Sequence, residues 1–223
     1  MFKKYWKFFV IFWSVVLVGI IGVFVFFWLI SAGKLGFMPT FEELENPNNR
    51  FASEVYFADG PIMNRYFEKE NRKYIEYREI PQSVIDALIA TEDVRFYDHS
   101  GVDVRGLFRV AKGLLTANTS AGGGSTISQQ LAKMLFPRES DLNVFELAIR
   151  KFREWVIAVR LEKSYTKEEI LTMYLNKYDF LNLAVGISSA ADIYFQVPLD
   201  SLKVEQAAML IGMAKNSSYY NPV

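Results

Sequence analysis

The feature that most constrains this chain is "FFVIFWSVVLVGIIGVFVFFWLI", Phe8 to Ile30. It carries no charge, and Ser14 is its one polar side chain. At about 1.5 Å per residue, its roughly 23 residues reach across a hydrocarbon core of about 30 Å. Lys3, Lys4 and Lys7 precede it, and no basic cluster follows at once; only Lys34 does. That bias predicts a cytoplasmic tail (residues 1–7), one transmembrane helix (8–30) and everything later outside. A cleaved signal peptide would have a shorter apolar core, about 7–15 residues. A retained anchor is therefore expected, although Ser31-Ala32-Gly33 resembles a cleavage site.

Composition narrows the classes further. Among 223 residues, 25 are basic and 25 acidic, so charge gives no argument for a nucleic-acid partner. Cysteine is absent and His99 is the single histidine. A disulfide framework, a Cys-type zinc site and a His-rich metal site are all excluded.

Residues 31–79 read as a tether followed by a hairpin. Gly33, Gly36, Pro39, Pro47 and an Asn-Pro-Asn-Asn turn mark the tether. Val55, Phe57 and then Ile62, Asn64, Tyr66 flank Ala58-Asp59-Gly60-Pro61, which predicts a short β-hairpin. From residue 80 onward the pattern is helical. Pro81 suits a first helical position, and Val84, Ile85, Leu88 and Ile89 follow at helical spacing. Leu107, Phe108, Ala111, Leu114 and Leu115 make an apolar stripe with Arg105, Arg109 and Lys112 around it. An ordinary core helix is the expectation there; the alternative is a helix lying in the membrane surface. Further helices are expected over 127–136, 144–163, 167–176, 187–195 and 204–214, with no strand beyond the hairpin.

Three constellations can carry chemistry. Glu92 and Asp93 end the apolar helix after Pro81. A carboxylate there would be partly desolvated and a better base; the alternative is a solvated helix end, with Asp98 and His99 as turn residues. "GGGSTISQQLAKMLF", Gly122 to Phe136, places glycines before a helix start, where backbone N–H groups can face an anion. Thr126 and Gln129 fit a capping box, and Gln129 and Lys133 lie four apart on one face. In "RKFREWVIAVRLEK", Arg150 and Lys151 precede Glu154, and Trp155 to Val159 is apolar on every side. A helix of that kind is buried, so Glu154 is expected at the edge of a buried segment, near two cations. Two carboxylates and a basic, Gly-rich anion site beyond a membrane anchor suit a phosphate-bearing substrate at a membrane surface.

Four ordered motifs resemble a known family: Glu92-Asp93-x-x-Phe96-x-x-His99-x-Gly101; Gly124-Ser125-Thr126-Ile127-x-Gln129-Gln130-Leu131-x-Lys133; Arg150-Lys151-x-x-Glu154; and Ile170-Leu171-x-x-Tyr174-Leu175-Asn176. They are similar to those of the peptidoglycan glycosyltransferases, found as monofunctional enzymes and as the N-terminal domain of class A penicillin-binding proteins. Gly186-Ile187-x-x-Ala190-Ala191-x-x-Tyr194-Phe195 and Tyr220-Asn221-Pro222 fit the rest of that domain. The resemblance covers about Ile80 to the end. It implies a mainly α, lysozyme-like lobe with a smaller membrane-proximal lobe. It also implies polymerisation of lipid II into glycan strands, with inversion and release of undecaprenyl pyrophosphate.

Carried over by position, Glu92 looks like the general base and Glu154 like the second carboxylate. Lys133, Arg150 and Lys151 look like the cations that hold the pyrophosphate, with Ser125, Thr126, Gln129 and Gln130 lining the cleft. Asp93, His99 and Gly101 are expected to shape the following turn. A divalent cation, magnesium, is implied for the leaving group. The implied partners are lipid II, the growing strand, the membrane and other cell-wall synthesis proteins. The implied location is the bacterial cytoplasmic membrane, crossed once, with the domain on the periplasmic side.

Some positions depart from the family pattern. Met134 replaces an Asn, and the stretch from Lys133 to Arg150 is longer than usual. An arginine before the Arg-Lys pair is missing, with Arg138 a candidate substitute. Leu181-Asn182-Leu183 replaces a Gly-rich segment, and Gln196 replaces a glycine. The rivals are a lytic transglycosylase-like hydrolase and a non-catalytic cell-wall scaffold. The chain closes at Val223, where such a domain would, and is expected to be the N-terminal part of a bifunctional class A penicillin-binding protein. A transpeptidase would need Ser-x-x-Lys and Lys-Thr-Gly. Only Ser31-Ala32-Gly33-Lys34 fits the first, and the second is absent.

Overall fold

The computed structural model describes residues 2–40, 53–56, 62–66, 71–116, 123–136 and 143–221. Helix α1 runs Phe2–Ser31, and Tyr5–Ser31 is long and apolar enough to cross a bilayer. Beyond it the chain bends at Gly33 and Gly36, whose φ angles of +70° and +110° suit glycine. Strands β1 (Ser53–Tyr56) and β2 (Ile62–Tyr66) pair antiparallel, Ser53 opposite Tyr66, with a bulge between Val55 and Tyr56. The expected hairpin is thus present, while its turn and Phe57 lie outside the described residues. A two-residue strand β3 (Asn71–Arg72) follows.

Helices α2 (Gln82–Glu92), α3 (Val104–Leu115), α4 (Ile127–Leu135), α5 (Val144–Ser164) and α6 (Lys167–Lys177) come next. Strand β4 (Ala184–Val185), α7 (Ile187–Phe195), α8 (Val204–Lys215) and the short α9 (Ser217–Tyr220) complete the order. The fold is mainly α. Strand β4 pairs parallel with β3, a contact the sequence reading did not anticipate, because two residues show no periodicity. Pro81 is the residue before α2 rather than its first residue, since its ψ of 138° is extended.

The apolar periodicity explains the packing. Val84, Ile85 and Leu88 bury one face of α2, which packs along α8. Helix α4 lies across α5 and α6, with Ile127 and Leu131 in the same core. Asn143 and Thr166 start α5 and α6 with complete capping boxes, their side chains accepting from Glu146 N–H and Glu169 N–H.

Two expectations about exposure need correction. Helix α3 is not an ordinary core helix: Phe108 is 72% and Leu115 89% exposed. Phe108, Ala111 and Leu115 are all exposed among the described residues, which removes the hydrophobic reason for calling it core. The apolar ring 155–159 on α5 is only partly covered, with Ile157 and Ala158 buried and Trp155, Val156 and Val159 part-exposed.

Helix α5 also grips the end of α1. Phe152 meets the Phe26 and Phe27 rings edge-on, with centroids 5.4 and 5.7 Å away. Arg160 donates to the Ser31 carbonyl and hydroxyl, both at 2.8 Å, and to the Pro39 carbonyl at 3.0 Å. A cation on the C-terminal carbonyls of a helix satisfies groups that the helix cannot pair itself.

Candidate active site

Glu92 is the last residue of α2, and Asp93 ends the helix with extended φ of −157°. Asp93 turns inward and is nearly buried. Its carboxylate accepts the Ile127 N–H at 3.1 Å, at the start of α4, and lies 3.0 Å from His99 Nε2. Asp93 and His99 therefore brace the turn, leaving Glu92 as the carboxylate available to the cavity wall. Gly101 completes the brace. Its carbonyl accepts from Thr126 Oγ1 at 2.7 Å and Gln129 Nε2 at 3.2 Å. Its φ is +93°, and a Cβ there would sit 2.7 Å from the Ala158 carbonyl carbon on α5. Only glycine lets this loop press against that helix.

Glu92 lines a cavity of about 430 Å³ together with Arg95, Arg109, Ser125, Gln130 and Lys215. Its Oε2 accepts from Gln130 Nε2 at 2.6 Å. Its Oε1 is buried and has no hydrogen-bond partner among the described residues. Arg95 donates Nε to Asp103 at 3.1 Å and tethers the end of α2 to the start of α3. Burial alone raises the Asp103 carboxyl, but the hydrogen bonds from Arg95 and the Gly106 N–H outweigh it and hold it below the ordinary carboxylate value.

The second carboxylate sits in a different field. Lys151 Nζ donates to Glu154 Oε2 at 2.8 Å and to Ser125 Oγ at 3.0 Å. Ser125 belongs to the Glu92 cavity, so Lys151 links the two ends of one cleft. Beyond it, Lys133, Arg150 and Glu154 line a smaller hollow of about 40 Å³, with Phe37 and Phe136 on its wall. Phe37 follows the end of α1, so this cationic hollow lies beside the segment that leaves that helix.

The folded chain thus brings Glu92, Ser125, Thr126 and Gln130 to one cavity and Lys133, Arg150 and Glu154 to its neighbour, joined through Lys151. Gln129 is placed elsewhere: it is buried, away from both hollows, on the Gly101 carbonyl. Thr126 Oγ1 accepts from Gln129 N–H at 3.2 Å, so half of the expected capping box forms. The Gln129 side chain does not close the box: its Nε2 donates to the Gly101 carbonyl, and its Oε1 has no hydrogen-bond partner among the described residues. Lys133 is exposed while Gln129 is buried, so their shared face is divided by packing. Arg138 lies outside the described residues.

Sequence reasoning missed Arg95, Asp103 and Lys215 as parts of this cavity. Arg95, three positions after Glu92, could have been found from its place in the first motif. Lys215 ends α8 and reaches the cavity only because α8 packs on α2.

Two of the departures fall on left-handed turns. Leu181, Asn182 and Leu183 all have positive φ (66°, 49° and 66°), as does Gln196 (56°). Glycine adopts such backbone freely, whereas it is strained for Leu181, Leu183 and Gln196. Asp179, Tyr194 and the Phe180–Ala184 backbone bond hold the first of them in place.

The sequence model of the transglycosylase family matches residues 59–223. The chain is similar to penicillin-binding protein 1A of Escherichia coli, at 37% identity over 186 residues, which cover 83% of this chain and 21% of that protein. The Pseudomonas aeruginosa protein of the same name is 38% identical over 186 residues, 83% of this chain and 22% of the relative. That of Neisseria lactamica is 37% identical over 186 residues, 83% of this chain and 23% of the relative. The chain therefore spans about a fifth of the length of these curated relatives. The extent of the family match and the level of identity place the chain in the transglycosylase family, as a peptidoglycan glycosyltransferase domain.

Proposed function

We propose that the chain polymerises lipid II at the outer face of a bacterial cytoplasmic membrane. The observation that carries this reading is the pairing of two unlike carboxylates in one cleft. Glu92 is held by a neutral amide beside an open cavity, and Glu154 by a lysine that also touches the cavity wall.

The chemistry needs this division. The attacking group is a sugar 4-hydroxyl, a poor nucleophile, and Glu92 takes its proton as O4 attacks the donor anomeric carbon. The bond from that carbon to the diphosphate oxygen breaks on the opposite face, giving inversion and free undecaprenyl pyrophosphate. General-base assistance of this kind is worth about 10²–10⁴-fold. The leaving group is already anionic, so it needs cations more than a proton. Lys151, Arg150 and Lys133 supply them, and preorganised charge of this sort is the larger part of many rate enhancements. Ser125 and Thr126 shape the cavity wall between the two ends, and Gln130 sits on Glu92.

The implied magnesium fits only one way. No three His, Asp or Glu side chains converge among the described residues. The chain offers Glu154 beside its cations, which suits a divalent ion that arrives on the substrate diphosphate rather than one bound beforehand. Its chemistry would be charge neutralisation on the departing diphosphate.

Membrane geometry supports the same reading. The bare apolar stripe of α3 and the exposed Val144 and Phe145 at the start of α5 suit a headgroup region. Lys3, Lys4 and Lys7 favour a cytoplasmic N-terminus. The expected division of the chain (1–7, 8–30, 31–79 and 80–223) follows from that orientation. Other cell-wall synthesis proteins are proposed partners, and membership of a longer penicillin-binding protein is proposed from the names and lengths of the relatives.

The test is incubation of the chain in detergent with labelled lipid II. Ladder-forming polymer, lost in Glu92→Gln, is expected. Loss of preformed glycan without polymer would replace this reading by a hydrolase.

A further inference from the structure

We infer that Tyr174 is a positioning residue for the base: through Gln130 it fixes which end of the amide meets Glu92, and so the plane of that carboxylate. The inference rests on the proposed role of Glu92.

The contacts form a one-way chain. Tyr174 OH donates to Gln130 Oε1 at 3.0 Å, and Gln130 Nε2 donates to Glu92 Oε2 at 2.6 Å. An amide oxygen and nitrogen are interchangeable in shape, so the direction of the chain must come from its ends. Both ends agree. With the amide reversed, its oxygen would face a carboxylate oxygen, two acceptors in contact. At the other end, the phenol is fully buried on α6. Burial first, and the nearby Glu92 and Tyr178 next, push its ionisation far above the ordinary tyrosine value. It stays a donor across the whole working range of pH. Tyr178 stacks on the ring with centroids 5.7 Å apart and an interplanar angle of 23°, which fixes where the hydroxyl points.

The consequence lies at the carboxylate. One oxygen is engaged by a neutral donor, and the other has no partner among the described residues. A salt bridge at Glu92 would spend its basicity; an amide orients it without supplying a counter-charge. That distinguishes Gln130 from Lys151, which holds Glu154 by charge. Tyr174 adds the second hold on the amide, at the end away from Glu92.

Tyr174→Phe removes one oxygen and keeps the ring. In the full chain in detergent, kcat for lipid II polymerisation should fall roughly 10- to 100-fold, the cost of a misplaced catalytic group. KM and Tm should stay close to the parent. In a Gln130→Ala background, the same change should have little further effect, because the relay is already cut. Equal kcat in Tyr174→Phe, or a loss that is additive with Gln130→Ala and tracks a fall in Tm, overturns the inference.

A readout independent of turnover separates this from the functional proposal. In ¹⁵N spectra of the chain, the two Gln130 side-chain amide protons should be inequivalent and protected from solvent exchange. Tyr174→Phe should abolish that protection. Unchanged protection would sink the relay even if the parent made no polymer, and lost protection in an inactive parent would leave the relay standing while the assigned reaction fell.

Discussion

The two glutamates of the cleft are held in opposite ways. Glu92 ends a helix, meets a neutral amide, and has one buried oxygen with no hydrogen-bond partner among the described residues. Glu154 lies within a helix, three residues after the lysine that pairs with it, and shares that lysine with Ser125. The first arrangement gives the carboxylate a neutral donor and no counter-charge. The second pairs it with a cation. In the proposed mechanism this contrast keeps base and electrostatic functions apart using the same residue type.

The contrast can be broken most severely at Glu92. Glu92→Gln should cost polymerisation about 10²–10⁴-fold while leaving Tm near the parent value, since an amide can still meet Gln130. Loss of fold in that variant would mean that Glu92 is structural. Next is the point where the two supporting frames touch. Gly101→Ala forces a Cβ against Ala158 on the helix that bears Glu154, at a φ of +93°. Strain there costs about 1–3 kcal/mol and overpacking a similar amount, so a clear fall in denaturation midpoint is expected. A midpoint equal to the parent's would show that the frames are not wedged together.

A smaller effect is expected on the cationic side. Lys151→Met should raise KM about tenfold with kcat less affected, because a charged hydrogen bond to Ser125 and Glu154 is lost but the base is untouched. A pure kcat effect would move Lys151 into the chemical step. Smallest is the response to salt. Raising ionic strength should lift KM a few-fold through Lys133, Arg150 and Lys151, and leave kcat unchanged, since the Gln130 contact carries no net charge. A kcat that falls with salt would argue against a neutral hold on the base.

Much of this was legible before folding. Helix α2 follows from apolar spacing, and its end at Glu92-Asp93 from the motif. The helices that carry Lys133 and Glu154 begin at Thr126 and Asn143 with side-chain caps, and the basic pair lies a turn before Glu154. These are local signals, within one or two turns. The sequence misled where coverage mattered. The α3 stripe looks like a core face, yet Phe108 is bare, because periodicity reports that a helix has an apolar side and not what covers it. Gln129 looked like a cleft residue from its motif, yet packing against Gly101 takes it inside.

Composition and spacing alone determined the long apolar helix, the helical register and the kinds of side chain available for reaction, since each depends on neighbours along the chain. Tertiary structure decided which of those side chains meet. Gln130 reaches Glu92 across 38 positions and Tyr174 across 44, and Arg160 closes the end of α1 across 129. Hydrogen bonds require ångström-scale placement, and only the packed core fixes such distances between residues so far apart in sequence.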